Sequence, residues 1–226
     1  MPSRLTGILK LFIPLLIPIL AIGGTASLLA TDQYLAFEYG KASFPPDSFS
    51  FSQQQRFELA SSNLHYVRAH LPSDALLIQT LNGTPVYNPR EVAHMADVQA
   101  VLQSVLRVWR AALILLLLIG SMLWLKGERQ ALAAAIRSGG LLTSGIILSI
   151  ALLALFAWQF WFNTFHVFFF ETGSWLSSYS DTLMRLFPVE FWFDVPLTTS
   201  FVSLIEGLLL ALIGWRAKRA LAERQA

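Results

Sequence analysis

Four apolar runs, roughly 11–30, 108–125, 140–162 and 197–215, constrain this chain more than any other feature. Each is about 18–23 residues long, enough to cross a hydrocarbon core of ~30 Å as a helix. A helix satisfies its own backbone hydrogen bonds where no water can, so segments of this kind span as helices. With 55% of its 226 residues hydrophobic and only 13% charged, a water-soluble domain of this size could not hide its apolar surface. The expected fold class is all-α membrane: four transmembrane helices with a small α+β extracytoplasmic cap.

The boundaries follow from the runs. A first transmembrane helix occupies 1–30, the cap 31–107 and a second span 108–125. A cytoplasmic loop covers 126–139, a third span 140–162 and an external interfacial segment 163–196. The fourth span is 197–215 and the cytoplasmic tail 216–226. Lys and Arg fix the orientation. Arg4 and Lys10, then Lys126, Arg129 and Arg137, then Arg216, Lys218, Arg219 and Arg224 lie in three short segments, whereas the two long connections are rich in Asp and Glu. Both termini are therefore expected in the cytoplasm and both long connections outside. The net charge of +2 comes from these inner flanks, and no basic stripe with interleaved aromatics points to nucleic acid.

Arg4, Lys10 and the core Leu11–Gly23 resemble the start of a signal peptide. Pro14 and Pro18 interrupt that core, and no small-x-small site precedes Thr31, so an uncleaved helix is expected. The chain has no cysteine, which excludes disulfides, thiol nucleophiles and thiolate-bound metals.

Within the cap, Pro45-Pro46 and Gly40 predict that residues 32–51 form an extended connection. Ser52-x-x-Gln55 is a capping-box pattern opening a helix over about 53–70. Phe57, Leu64, Val67 and Leu71 recur at helical spacing, and Pro72 ends the element. Asn82-Gly83 predicts a hairpin between the strands Ala-Leu-Leu-Ile-Gln-Thr (75–80) and Pro-Val-Tyr (85–87). Asn88 followed by Pro89 opens a helix that runs on into the second span.

Chemistry centres on the histidines, whose imidazole exchanges protons near neutral pH. His65 and His70 read as residues of the cap helix. His94 stands between Glu91 and Asp97 at helical spacing, where a carboxylate one turn away can orient the ring. A solvated juxtamembrane face explains the same spacing. His166 lies where the third span leaves the bilayer, among Trp158, Phe160, Trp161, Phe162, Phe165 and Phe168 to Phe170. Aromatic belts are ordinary there, yet a buried imidazole needs a partner. The topology places both histidines at the outer boundary. Farther on, Asp181 and Arg185 are spaced for a helical ion pair, and Pro188 breaks the helix. Glu206 falls near the middle of the fourth span, where a bare charge costs about 2.5–3.5 kcal/mol, and pairing with Arg110 would relieve it. Phosphate loops, Gly-x-Ser-x-Gly and His-Glu-x-x-His are absent, and Glu91-x-x-His94 is only half of a di-iron motif.

Two motifs, Glu91-Val-Ala-His94-Met-x-Asp97-Val and Phe165-His166-x-Phe-Phe-Phe-Glu171, together resemble the bacterial lipoprotein intramolecular transacylases. So do Asp181-Thr-Leu-x-Arg185-Leu-Phe-Pro188 and Phe191-Trp-x-Asp194. The resemblance covers the plan of four spans and an outer cap, with nothing matched between 40 and 80. It implies an enzyme at the outer face of the bacterial cytoplasmic membrane, with a diacylglyceryl lipoprotein as substrate among membrane lipids. The reaction implied moves the sn-2 acyl chain of the glyceryl group to the α-amino group of the N-terminal cysteine, giving the lyso-form. His94 and His166 map onto the two histidines thought to carry the proton transfers, with no cofactor and no metal. Around them, Phe165, Phe169 and Trp175 are candidates to wall the site. Glu91, Asp97, Glu171, Asp181 and Arg185 are candidates to orient the histidines or bind substrate. Two other readings stand beside this one: a non-catalytic binding or transport protein built on Glu206, and a metalloenzyme binding metal near His94 and His166.

Overall fold

A computed structural model describes residues 3–170, 175 and 178–224, except for the side chains of residues 3–6 and 8. Four helices are long and apolar enough to cross a membrane, with mean hydropathies of 1.8 to 2.2. They are α1 (Ser3–Leu29), α5 (Pro89–Leu125), α6 (Arg129–Phe156) and α9 (Val189–Glu223). Between them lie α2 (Asp32–Tyr39), α3 (Gln53–Ala69), α4 (Asp74–Leu77), β1 (Thr80–Leu81), β2 (Thr84–Pro85), α7 (Trp158–Phe169) and α8 (Thr182–Leu186). The chain divides into two compact units. One comprises Met1–Ala26, Leu106–Leu152 and Thr198–Ala226, and the other Ser27–Val105 and Leu153–Leu197.

The first unit is a helical bundle held by small residues and a few polar contacts. Without a hydrophobic drive between helices in lipid, close backbone approach and packing must do the work. Ile13, Ile17, Ala112, Leu123 and Ala135 form its buried cluster. Trp109 lies over Gly23 and Gly24 and donates its indole N–H to the Leu20 carbonyl at 3.0 Å. On α6 and α9, Gly140 faces the Gly207 carbonyl, and Gly214 faces the Ala133 carbonyl. The Ser203 hydroxyl donates to Thr25 Oγ1 at 3.3 Å. The pairing of Glu206 with Arg110 does not form: Arg110 Nε donates to its own helix at Leu106 O (3.1 Å), and Glu206 Oε2 is buried without a hydrogen-bond partner among the described residues.

The second unit is built around Leu35, Tyr66, Leu76, Leu186 and their neighbours. The Ser52–Gln55 capping box forms and starts α3 as expected, with His70 (φ 55°) closing it in the left-handed conformation. Val67 is buried, while Phe57, Leu64 and Leu71 pack at the core's edge, so the helical face was read correctly. Asn82 (φ 51°) and Gly83 (φ 77°) make the hairpin turn, both positive as a two-residue turn of this hand requires.

Three expectations change. Residues 32–39 are helical rather than extended, because Thr31 caps α2 by accepting from Tyr34 N–H. Half of the expected strand 75–80 is instead the single turn α4, which buries Leu76, and the ladder keeps two residues per strand. The run 140–162 is not one helix: α6 ends at Phe156, Ala157 breaks it (φ −139°, ψ 45°), and α7 follows. Hydropathy counts apolar side chains and does not register a change of direction. Here Trp158 turns onto Phe193 at 5.0 Å, edge to face.

Candidate active site

His94 and His166 both belong to the second unit. His94 sits in the second turn of α5, whose first turn is fixed by a reciprocal cap. Glu91 N–H donates to Asn88 Oδ1 at 3.0 Å, and Asn88 N–H donates to Glu91 Oε2 at 2.9 Å. This stretch precedes the apolar part of α5, 108–125, which is already long enough to cross. His166 lies near the end of α7, whose side chains include none that is fully buried.

The two imidazoles face each other with ring centroids 6.4 Å apart and planes inclined by 23°. Phe170 presents its ring to both, at 4.9 Å from His94 and 5.1 Å from His166. Around His166 stand Phe162 at 4.0 Å, Trp175 at 5.0 Å and Phe165 at 5.6 Å. His166 Nδ1 lies 2.8 Å from the Phe162 carbonyl. A carbonyl only accepts, so Nδ1 carries the hydrogen and Nε2 keeps the lone pair. His94 Nδ1 is buried and has no hydrogen-bond partner among the described residues.

Burial is the main influence on both rings. It lowers the His94 pKa to about 4, aided by the neighbouring His166 and opposed by Asp97. It also lowers that of His166, opposed by the bond to Phe162 O. Burial therefore holds both imidazoles in the neutral form at pH 7. The linkage has a definite sign. A histidine held below its unfolded value binds its proton less readily in the fold, so stability falls as pH drops from about 6.5 towards 4. Thermal unfolding in detergent should show a melting temperature that declines through this window, and His94→Phe should flatten the decline.

The other sequence candidates fall into place unevenly. Phe165 and Trp175 touch His166, whereas Phe169 packs on Phe165 at 4.8 Å. The charge of Asp97 acts on His94. Glu91 is buried, and its carboxylate accepts from the backbone N–H groups of Asn88 and Leu183. Burial raises its pKa, against those two bonds. The expected Asp181–Arg185 pair is replaced by two others. Asp181 stands outside α8 in extended backbone and pairs with Arg90 at 2.7 Å. Arg185 makes a two-pronged bond to Asp47 at 2.9 and 3.0 Å and lies 3.3 Å over the Phe51 ring. Arg185 is thus part of the packing around the 45–51 loop. Glu171 lies outside the described residues. Phe162 and Phe170 were not among the candidate site residues: Phe162, four residues before His166, lies on its helical face, whereas Phe170 follows the last turn of α7 in extended backbone.

Residues 8–192 match the family described as lipoprotein intramolecular transacylase Lit. The chain belongs to the Lit family. A 26% identical relative from Aquifex aeolicus, described as an uncharacterized protein, aligns over 95% of this chain and 96% of its own. The solved structure of the membrane-integral lipoprotein intramolecular transacylase Lit from Bacillus cereus shares the fold, at 15% identity and a TM-score of 0.81, covering 99% of this chain and all of that one. A variant of the same protein with one histidine replaced by arginine is similar at a TM-score of 0.71, with 14% identity and coverages of 98% and 96%. As a Lit-family member the chain is an integral membrane acyltransferase that acts intramolecularly on lipoproteins. Among the described residues no three His, Asp or Glu side chains gather at metal-binding spacing.

Proposed function

We propose that this Lit-family chain moves the sn-2 acyl chain of a diacylglyceryl lipoprotein to the α-amino group of the substrate's N-terminal cysteine, with His94 and His166 carrying the protons. The observation that carries this reading is the pair of neutral imidazoles 6.4 Å apart within aromatic walls.

The substrate amine has a pKa near 7.7–8.0 and arrives mostly as ammonium at neutral pH. One imidazole removes a proton, and the freed amine attacks the ester carbonyl. As the C–N bond forms, the second imidazole takes the remaining extra proton from nitrogen. The first imidazolium then protonates the sn-2 oxygen as the C–O bond breaks. The products are an amide and a free glyceryl hydroxyl, with one proton released to solvent. His166 Nε2 has its lone pair available for such a transfer. Amine and ester belong to one molecule, so no enzyme nucleophile is needed. The protein's task is to bring the ends together and keep water away. Phe162, Phe165, Phe169, Phe170 and Trp175 supply the dry wall, and Asp97 is the carboxylate that acts on His94 and can hold the ammonium.

The same proposal places both termini in the cytoplasm, spans at about 11–30, 108–125, 140–156 and 197–215, and the histidines in an extracytoplasmic cap. The uneven distribution of Lys and Arg supports it. The competing view rests on Glu206 Oε2, which is buried without a hydrogen-bond partner among the described residues. Glu206→Gln separates the two. Continued formation of lyso-lipoprotein by this variant, read by mass spectrometry, is the expected result. Its loss, with His94→Ala and His166→Ala both active, would favour a binding or transport protein.

A further inference from the structure

Glu91 is 2% exposed, yet its carboxylate accepts from two backbone N–H groups, one three residues away and one across 92 residues. Its Oε2 completes the cap of α5 through Asn88 N–H. A cap asks nothing more of it. Its Oε1 nevertheless accepts from Leu183 N–H at 2.8 Å, across 92 residues, at the start of α8. One carboxylate therefore satisfies the first turns of two helices. Around it Asp181 accepts from Arg90 at 2.7 Å, from Ser178 N–H at 2.7 Å and from Asn88 Nδ2 at 3.4 Å, and the Thr182 hydroxyl donates to the Val86 carbonyl.

The chain so fastened is the one that carries the site. His94 follows Glu91 by three residues on α5. His166, Phe170 and Trp175 precede Asp181 on the segment that runs from α7 to α8, and Phe170 touches both imidazoles. We propose that Glu91, with the Arg90–Asp181 pair, is a positioning latch that ties the return chain from α7 to the first turn of α5 and so sets the spacing of His94 and His166. The inference rests on the roles given above to the two histidines. None of the latch residues needs to touch substrate.

Only four histidines are present, so selective ¹⁵N-histidine labelling of the full chain in detergent reads each ring separately. Among the described residues, the titratable groups whose fields reach His94 are Asp97 on its own helix and His166 from α7. In Glu91→Ala, kcat should fall by about 10²-fold with KM little changed, as expected for reacting groups misplaced by about 1 Å. The His94 titration should move up towards the ordinary histidine range as burial and the neighbouring ring relax. Glu91→Gln keeps an acceptor for Leu183 N–H and should lie between parent and Ala on both readouts. Arg90→Ala, which removes the half-exposed side of the pair, should shift both in the same direction by less and serves if Glu91→Ala does not fold. Lost turnover with His94 and His166 titrating as in the parent would overturn the latch, as would unchanged turnover with unchanged titration. A shifted titration with parental turnover would leave the latch standing and refute the roles given to the histidines.

Discussion

Alanine at His94 or at His166 is expected to lower formation of lyso-lipoprotein by about 10²–10⁴-fold, the range for loss of one general acid–base group. In the proposed reaction each ring performs half of a proton circuit that must close. Removing either one leaves the amine proton without an acceptor or the sn-2 oxygen without a donor. The double variant should therefore fall little further than the singles, since groups that act as a unit are strongly non-additive. Melting temperatures should stay near the parent value, because both rings are only half-buried and neither belongs to the core built on Leu35, Tyr66, Leu76 and Leu186. Initial rates of single and double variants in proteoliposomes check this. Fully additive losses would mean that the two imidazoles serve separate steps.

The second large effect concerns the bundle. A Cβ added at Gly140 would run into the Gly207 carbonyl, with Ala211 N at 2.5 Å and its Cα at 3.1 Å. These are backbone atoms of α9, which cannot swing aside as a flexible side chain does. Gly140→Val is expected to destabilise the protein at the upper end of about 1–3 kcal/mol, the usual cost of overpacking. Gly145→Val is the control, because nothing lies within 4 Å of a Cβ there. Thermal unfolding in one detergent should lower the first melting temperature by several degrees and leave the second nearly unchanged. Equal losses would point to helix propensity rather than close packing.

Much of this was legible in the residues. Apolar run length predicted the four membrane helices, and local cap chemistry predicted the starts of α3 and α5 at Ser52 and Asn88. The approach of the two histidines was legible too, because each stands beside a span in a distinctive motif. What escaped is what side chains do across long separations. Asp181 and Arg185 suit each other at four residues, but Arg90 and Asp47, both remote in sequence, claim them instead. Glu91 reads as a neighbour of His94, whereas its bonds run to the backbone of Asn88 and Leu183. The break at Ala157 lies within an unbroken apolar run and carries no proline or glycine to announce it. The resemblance to Lit drawn from the histidine motifs agrees with the family match over residues 8–192.

The central claim is that two imidazoles pass the protons of an acyl transfer within one substrate molecule. A synthetic diacylglyceryl lipopeptide with an isotopically heavy chain at sn-2 only, given to proteoliposomes and read by tandem mass spectrometry, tests it most directly. The account predicts the heavy chain on the N-terminal nitrogen with the parent enzyme, and unreacted substrate with the His94→Ala/His166→Ala variant. A heavy chain that stays on glycerol while product forms, or a double variant that moves it at the parent rate, would contradict the account.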